Sequence, residues 1–521
     1  VIERLLGLDT ALTNFKQSDG FPLDLRNSTK NRVHLVGIAG SGLRAMAEVL
    51  SGWECEVSGS DVRLMDVKGL GAGKIRLFEG HSARHLSPEA DLVIRSDAIP
   101  DENPEIRAAQ ELGIPILSYF DVLGQLSQKC HTVAIAGTHG KSTTTAMTAH
   151  ILVEAGHDPT VFCGATPLGK TSGGRACRFS RSAADKDSPR PQSGEGPGVR
   201  AADSAADIPL LLVEACEFRK NFLKLQPTHA AILNIEPDHF DCYDSLDALE
   251  QAFRQFAASL PTNGLLVVPH ADASITRVTA GLACQTETFS FSPAADWHAD
   301  SIEDHLGRFR FEIRHRGQPL GFVQLQTPGR HNILNALAAA ALAHANGASS
   351  AQIIGGLESF EGLHRRLEIL GKWRDIAVVD DYAHHPTEVT ASLQAIRSIY
   401  PKQRIWCVFQ PHQASRTARL LDELAVSLQN ADCVLIGEIF RAREGTPQPG
   451  EVTAADLARR VAELGVPVFP GSKTEEIVKT LETHLAPGDV LATLGAGDTA
   501  PFRPMGLFND KPQNIRGTPI G

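Results

Sequence analysis

The run Gly137-Thr138-His139-Gly140-Lys141-Ser142-Thr143 sits directly after the apolar stretch Ala134-Ile135-Ala136. Glycines there expose backbone N–H groups to a phosphate chain. Lys141 adds a cation, and the Ser142 hydroxyl is a ligand type that magnesium accepts. The loop is shorter than the strict G-x-x-x-x-G-K-[ST] form, because position 135 is Ile. Two carboxylate-bearing segments follow. Leu210-Leu211-Leu212-Val213-Glu214 ends an apolar run in an acid, and 231–235 leads into Glu236-Pro237-Asp238-His239. A carboxylate at a strand's end beside a phosphate loop is placed to hold magnesium. His239 is a less natural ligand for this hard ion, which prefers oxygen. From spacing it reads rather as a structural or substrate-contact histidine than as a ligand.

A second glycine turn, Gly37-Ile38-Ala39-Gly40-Ser41-Gly42, lies between Val33–Ile38 and the helical pattern Leu43–Leu50, with Ser60 and Asp61 ending the next strand. Such a turn brings backbone and a helix N-terminus to a phosphate. The strict dinucleotide fingerprint wants glycine at position 39. A tight turn without a ligand, a nicotinamide site and a nucleotide-diphosphate site all share this pattern. Further on, Asn332 and Asn335 share one face of a helix predicted to bury a single stripe (333, 334, 337, 338, 341, 342), and amides suit adenine. Arg365-Arg366, Asp380-Asp381-Tyr382-Ala383-His384-His385-Pro386, His412 and Arg416 form a last group. Its acids end an apolar strand, where ligands of open parallel sheets collect, and its arginines can clamp phosphate or carboxylate with two bonds. One zinc held by both His384 and His385 is disfavoured, since adjacent side chains on an extended chain point apart.

The elements that must position these groups read as α/β. Apolar strands alternate with amphipathic helices from Asn31, and the pattern restarts at His131 and again at Asp375. At 521 residues the chain is long enough for three domains of roughly 100–200 residues each. Residues 171–207 are rich in Ser, Arg, Gly, Pro and Asp and are expected to form a mobile surface insertion. The stretch after Thr499 is expected to pack as an irregular extension. A net charge of -11 argues against a general nucleic-acid binder. Nine cysteines without a C-x-x-C pair fit reduced thiols. There is no apolar run long enough for a membrane span, and residues 1–30 lack a signal-peptide pattern. A cytoplasmic protein, monomeric or homodimeric, is the expectation.

The ordered blocks resemble the Mur ligase family of peptidoglycan synthesis, over roughly Asn31 to Asp498, and most of all the type that joins L-alanine to UDP-N-acetylmuramate. The resemblance implies a Rossmann-like N-terminal domain for the UDP-sugar (1–128), a central P-loop-type ATPase domain (129–361) and a Rossmann-like C-terminal domain (362–521). It implies that Gly37, Ala39, Gly40, Ser41, Gly42, Ser60 and Asp61 bind the UDP-sugar. It places ATP on Gly137, Thr138, His139, Gly140, Lys141, Ser142, Thr143, Asn335, Arg366 and Asp381. It gives magnesium to Ser142, Glu214 and His239, makes Lys141, Glu214 and His239 catalytic, and lines an amino-acid pocket with Tyr382, His384 and Arg416. ATP and Mg2+ are the implied cofactors, and UDP-N-acetylmuramate and L-alanine the implied substrates. The alternative within the family is a recycling ligase that adds a preformed tripeptide to the same sugar. An oxidoreductase using the first turn would leave Lys141, Glu214 and the last third of the chain unexplained, and a member that only binds nucleotide sugar would not need Lys141 and Ser142. Four features depart from the family pattern: Ser142 for the usual Thr, Ala39 for a frequent Gly, Gln413 for a frequent Arg, and the long 171–207 segment.

Overall fold

A computed structural model describes residues 31–64, 70–169, 177–178, 208–442 and 444–503. The expectations for 1–30, for 504–521 and for all of 171–207 except 177–178 lie outside the described residues. Backbone proximity divides the chain into two compact units. The first takes in Val1–Ile235, Asp247–Phe289 and Ala338–Gly356, the second Glu236–Leu246, Ser290–Leu337 and Leu357–Gly521.

In the first unit, strands β1 (Arg32–Val36), β2 (Glu56–Asp61), β3 (Arg76–Glu79), β4 (Leu92–Arg95) and β5 (Ile116–Ser118) form a sheet in the order β3-β2-β1-β4-β5, parallel throughout. This is the doubly wound order, and its direction reverses between β1 and β4, where such sheets open a crevice for ligands. Val33, Leu35 and Val36 of β1 are buried, as strands covered on both faces require. The helix Ser41–Gly52 carries the chain from β1 to β2, and Pro104–Leu112 from β4 to β5.

The same unit holds a second parallel array. β6 (His131–Ala136), β7 (Thr160–Phe162), β9 (Leu210–Glu214), β10 (His229–Ile232), β11 (Leu265–Pro269) and β12 (Gln285–Ser290) run β12-β11-β10-β6-β9-β7. The two-residue strand β8 (Cys177–Arg178) pairs antiparallel with β7 at its edge. Part of the segment expected to be mobile is therefore paired into the sheet. The helix Lys141–Glu154 leaves β6 through the glycine loop.

In the second unit, β13 (Trp297–His305), β14 (Arg308–His315) and β15 (Gln318–Gln324) form an antiparallel meander. The last sheet runs β16-β17-β20-β18-β19, with β16 (Glu368–Trp373), β17 (Ile376–Asp381), β18 (Ile405–Gln410), β19 (Cys433–Ile436) and β20 (Val490–Gly495). Only β16 is antiparallel, against β17. Its two faces bury Val379, Leu393, Cys407 and Phe409 on one side and Trp406, Val408, Leu491 and Phe502 on the other. Phe502 shows that the chain beyond Thr499 begins by packing into this core.

The helix His331–Ala345 differs from the single-stripe expectation. Ala336, Leu337, Ala338, Ala339, Ala340, Ala341, Leu342 and Ala343 are all buried, so it is covered all round. A run of alanines reads as a polar-free surface in sequence, but its small side chains suit close approach on every face. Cys55, Cys163, Cys407 and Cys433 are buried free thiols. Among the described residues no helix is long and apolar enough to cross a membrane.

Candidate functional site

The phosphate loop is built between β6 and its helix. Gly137 (φ 134°) and Gly140 (φ 83°) take conformations that strain any L side chain, and a Cβ on Gly137 would lie 3.0 Å from the Leu233 nitrogen. Asn234 brackets the loop. Its Oδ1 accepts from the His139 N–H at 2.7 Å, its Nδ2 donates to the His139 carbonyl at 3.1 Å, and its carbonyl accepts from the Thr138 N–H at 3.2 Å. Lys141 folds back over the loop, where Nζ donates to the Gly137 and Thr138 carbonyls and lies 3.0 Å from the Glu217 carboxylate. Burial pulls the Lys141 pKa down, but Glu217, then Cys216 and Glu214, carry it above the ordinary lysine value, so it is a fixed cation. Ser142 donates to Glu214 Oε1 at 3.1 Å, while Glu214 Oε2 accepts from the Gly164 N–H at 2.7 Å. Hydroxyl and carboxylate thus meet at the mouth of the loop. Thr143 follows in the first turn of the helix. Glu217 and Asn234 were not among the sequence candidates for this loop.

The other glycine turn lies at the C-terminal end of β1. Gly37 (φ 89°) takes a conformation that strains an L side chain, and a Cβ would stand tightly against Ser96 Cβ at 3.1 Å. The Gly37 and Ile38 N–H groups donate to the Ser60 carbonyl at 2.8 and 3.0 Å, and the Ala39 N–H to Asp61 Oδ2 at 3.0 Å. Ala39 does not need a positive φ, so its Cβ is tolerated where the fingerprint has glycine. Gly40 and Ser41 are exposed, and among the described residues no side chain caps the helix Ser41–Gly52, whose first N–H groups are the kind that suit an anion. Ser60 is different. Its side chain is fully buried and donates to Glu105 rather than facing the turn.

The second unit carries the remaining candidates. Asp381 is buried at the end of β17, where Oδ2 accepts from Ser392 Oγ at 2.7 Å and Oδ1 from the Ala383 N–H at 3.1 Å. Burial raises its pKa to about 6, opposed by Arg366 and Ser392. Its neighbour Asp380 is a structural anchor, taking Thr493 and Thr499 hydroxyls at 2.7 Å and pairing with Arg365 and Arg503. Arg366 lies over the Tyr382 ring at 5.1 Å. From Tyr382 an aromatic chain runs through His384 (5.4 Å between centroids), His412 (5.3 Å) and Phe440 (5.8 Å). Burial lowers the His384 pKa to about 4, leaving a neutral ring.

Arg416, almost wholly buried, pairs with Asp238 and donates to His412 Nδ1 at 3.0 Å, while its Nε has no hydrogen-bond partner among the described residues. An unsatisfied buried guanidinium donor is suited to a small carboxylate ligand. The adjoining Gln413 (φ 63°) is also buried and donates its N–H to the Phe440 carbonyl at 2.9 Å. His239 (φ 50°) follows Asp238 and belongs to this unit. Asn335 donates to Asn332 Oδ1 at 2.9 Å, so the two amides do share a helix face. The structure therefore gathers Lys141, Ser142 and Glu214 in the first unit, and Tyr382, His384 and Arg416 in the second.

Three family descriptions match consecutive parts of the chain: Mur ligase family, catalytic domain, over 32–131; Mur ligase middle domain over 135–343; and Mur ligase, glutamate ligase domain, over 365–497. A UDP-N-acetylmuramate--L-alanine ligase of Acetivibrio thermocellus is 36% identical over 471 residues, which is 89% of this chain and 93% of that protein. The protein of the same name from Clostridium novyi is 37% identical, covering 91% and 96%. Among solved structures, UDP-N-acetylmuramate-alanine ligase from Thermotoga maritima superposes with a TM-score of 0.71 at 26% identity, covering 90% of this chain and 96% of that one. A murein peptide ligase from Psychrobacter arcticus gives 0.65 at 26% identity, with the same coverage. The chain belongs to the Mur ligase family.

Proposed function

We propose that this chain joins L-alanine to the carboxylate of UDP-N-acetylmuramate, driven by ATP, in the cytoplasmic stage of peptidoglycan synthesis. The observation that carries this reading is relatedness at 34–37% identity over nearly the whole length to several proteins bearing that activity's name. The domain divisions that go with it lie near 128 and 361.

A carboxylate does not acylate an amine at neutral pH, because oxide is a poor leaving group. In the proposed reaction the muramoyl carboxylate oxygen attacks the γ-phosphorus of ATP, giving an acyl phosphate and ADP. The alanine amine then attacks the acyl carbon, the carbon–oxygen bond to phosphate breaks, and inorganic phosphate departs. The protein's part is positioning and charge neutralisation. The N–H groups at the start of the helix, from Gly140 to Thr143, cradle the phosphates, while those of Thr138 and His139 are held by Asn234 and shape the loop, and Lys141 offers its charge to the group being transferred. The helix N-terminus at Ser41 and Gly42, which the Gly37–Gly40 turn delivers, is assigned to the UDP diphosphate, and Asp61 to the ribose or base. Asn335 is assigned to adenine, and Arg366 and Asp381 to phosphate and ribose. Arg416 binds the alanine carboxylate through its spare donor, and Tyr382 and His384 close over the methyl group.

The oxygen donors of Ser142 and Glu214, 3.1 Å apart, fit a magnesium ion. When bound, magnesium would neutralise phosphate charge. His239 completes the proposed ligand set on the family resemblance alone. The test is phosphate release by purified protein with UDP-N-acetylmuramate, ATP, magnesium and one amino acid at a time. Turnover with L-Ala-D-Glu-diaminopimelate in preference to L-alanine would replace this reading with the recycling one.

A further inference from the structure

Glu105 is the second residue of the helix Pro104–Leu112, a position where acids normally face water, yet its side chain is fully buried. A buried carboxylate is costly unless its oxygens are satisfied, and here they are, from several separate elements. Oε1 accepts from the Ser82 N–H at 3.0 Å and contacts His85 Nδ1 at 2.9 Å. Oε2 accepts from Ser60 Oγ on β2 and lies 3.4 Å from His34 Nε2 on β1 and 3.6 Å from His81 Nδ1. The network closes on itself, since Ser60 Oγ is 3.0 Å from His81 Nδ1 and His34 Nδ1 is 2.8 Å from Ser58 Oγ. The carboxyl pKa is set by burial pushing up against the stronger combined pull of His34, Ser60 and Ser82, which lowers it to about 2.

This hub is one residue's length from the exposed glycine turn. The Ser60 whose hydroxyl is tied inward to Glu105 is the residue whose carbonyl accepts from the Gly37 and Ile38 N–H groups, and the next residue, Asp61, accepts from Ala39. We propose that Glu105 is a positioning residue for the UDP-sugar: by holding the Ser60 hydroxyl inward it fixes the end of β2, and through the Ser60 carbonyl and the Asp61 carboxylate it fixes the conformation of the Gly37–Gly42 turn. The proposal rests on the reading of that turn as the UDP-sugar site. A well-packed apolar side chain would serve stability equally well, so a charged hub here is explained by the geometry it imposes.

The test compares wild type, Glu105→Gln, Ser60→Ala and the double variant. The measurements are the calorimetric Kd for UDP-N-acetylmuramate, steady-state kinetics and thermal unfolding. Glutamine keeps the size but turns one acceptor into a donor, so it must lose either Ser60 or the Ser82–His85 side. Each single variant is expected to weaken Kd and KM for the UDP-sugar by about tenfold or more, the loss of one charge-assisted hydrogen bond, with a smaller change in kcat. The double variant should be no weaker than the weaker single one, because both act through the one hub that holds the end of β2. A lower melting temperature and kcat with an unchanged UDP-sugar Kd would mean a merely structural role and overturn the proposal, as would additive losses. If Glu105→Gln does not fold, Ser60→Ala decides, and a Kd within about twofold of wild type contradicts the proposal. Failure of wild type to bind UDP-N-acetylmuramate would instead count against the function reading.

Discussion

Beside its proposed role at the phosphates, Lys141 serves the fold, because its partner Glu217 is nearly inaccessible to water. Lys141→Ala should reduce turnover at least ~100-fold, the scale of one lost electrostatic donor worth about 3 kcal/mol. It should also lower the melting temperature, since a buried carboxylate is left without its cation. Adding Glu217→Gln should recover much of the melting temperature and none of the turnover; recovery of both would make the lysine structural only. The residues assigned to the proposed amino-acid pocket predict selectivity. Tyr382→Ala should raise kcat/KM for L-leucine relative to L-alanine by about tenfold, because steric exclusion by a ring exceeds the ~1–3 kcal/mol available per methylene, and an unchanged ratio would move the pocket elsewhere. The placement of Lys141 and Ser142 at the start of a helix after a buried strand was legible in sequence because their motif is local. Glu217 lies 76 residues from Lys141, and Glu105 lies 45 from Ser60. Nothing in the local sequence links those pairs, so Ser60 looked like a ligand contact when its hydroxyl in fact points inward.

The short helix Ala414–Arg419 positions Arg416, yet Gln413 before it supplies no side-chain cap. Glu444 does so from a later loop, accepting from the Ala414 and Ser415 N–H groups at 2.6 and 3.0 Å. Glu444→Ala should cost about 1 kcal/mol of stability, as loss of a cap does, and raise the KM for L-alanine more than that for ATP. Equal changes in both would show that the helix does not serve the amino-acid pocket. The parallel strands and their crossover helices were readable from the alternation of apolar runs and amphipathic segments. The meander β13–β15 was not. Its hairpins turn through Leu306-Gly307 and Arg316-Gly317, each with positive φ at both residues. Two-residue turns of this kind usually announce themselves with Asn or Asp before the glycine, and here Leu and Arg occupy that place.

Across the whole molecule, burial sets how stability responds to acid. His229, His331 and His384 are each lowered by burial to about 4, and His131 is lowered as well. The unfolded chain binds protons at these rings below pH ~6.5 while the folded chain does not, so stability rises with pH between roughly 4 and 6.5. Asp381, raised to about 6, acts in the opposite sense over roughly pH 4 to 6, and the half-exposed His364, raised by its hydrogen bond to Glu368, does so only from about pH 6.5 upward, so over the acid range the four lowered rings prevail. The melting temperature should therefore fall as pH is lowered from 7 to 4.5; a flat profile over that range would contradict the buried neutral histidines. In the proposed reaction these residues activate a sugar-nucleotide carboxylate for attack by a small amino acid. The most direct measurement follows oxygen transfer, using UDP-N-acetylmuramate labelled with 18O in its carboxylate, with ATP, magnesium and L-alanine. The account predicts one 18O in the inorganic phosphate released per peptide bond formed, with L-alanine preferred to glycine, L-leucine and the tripeptide. Unlabelled phosphate accompanying the peptide product would contradict it.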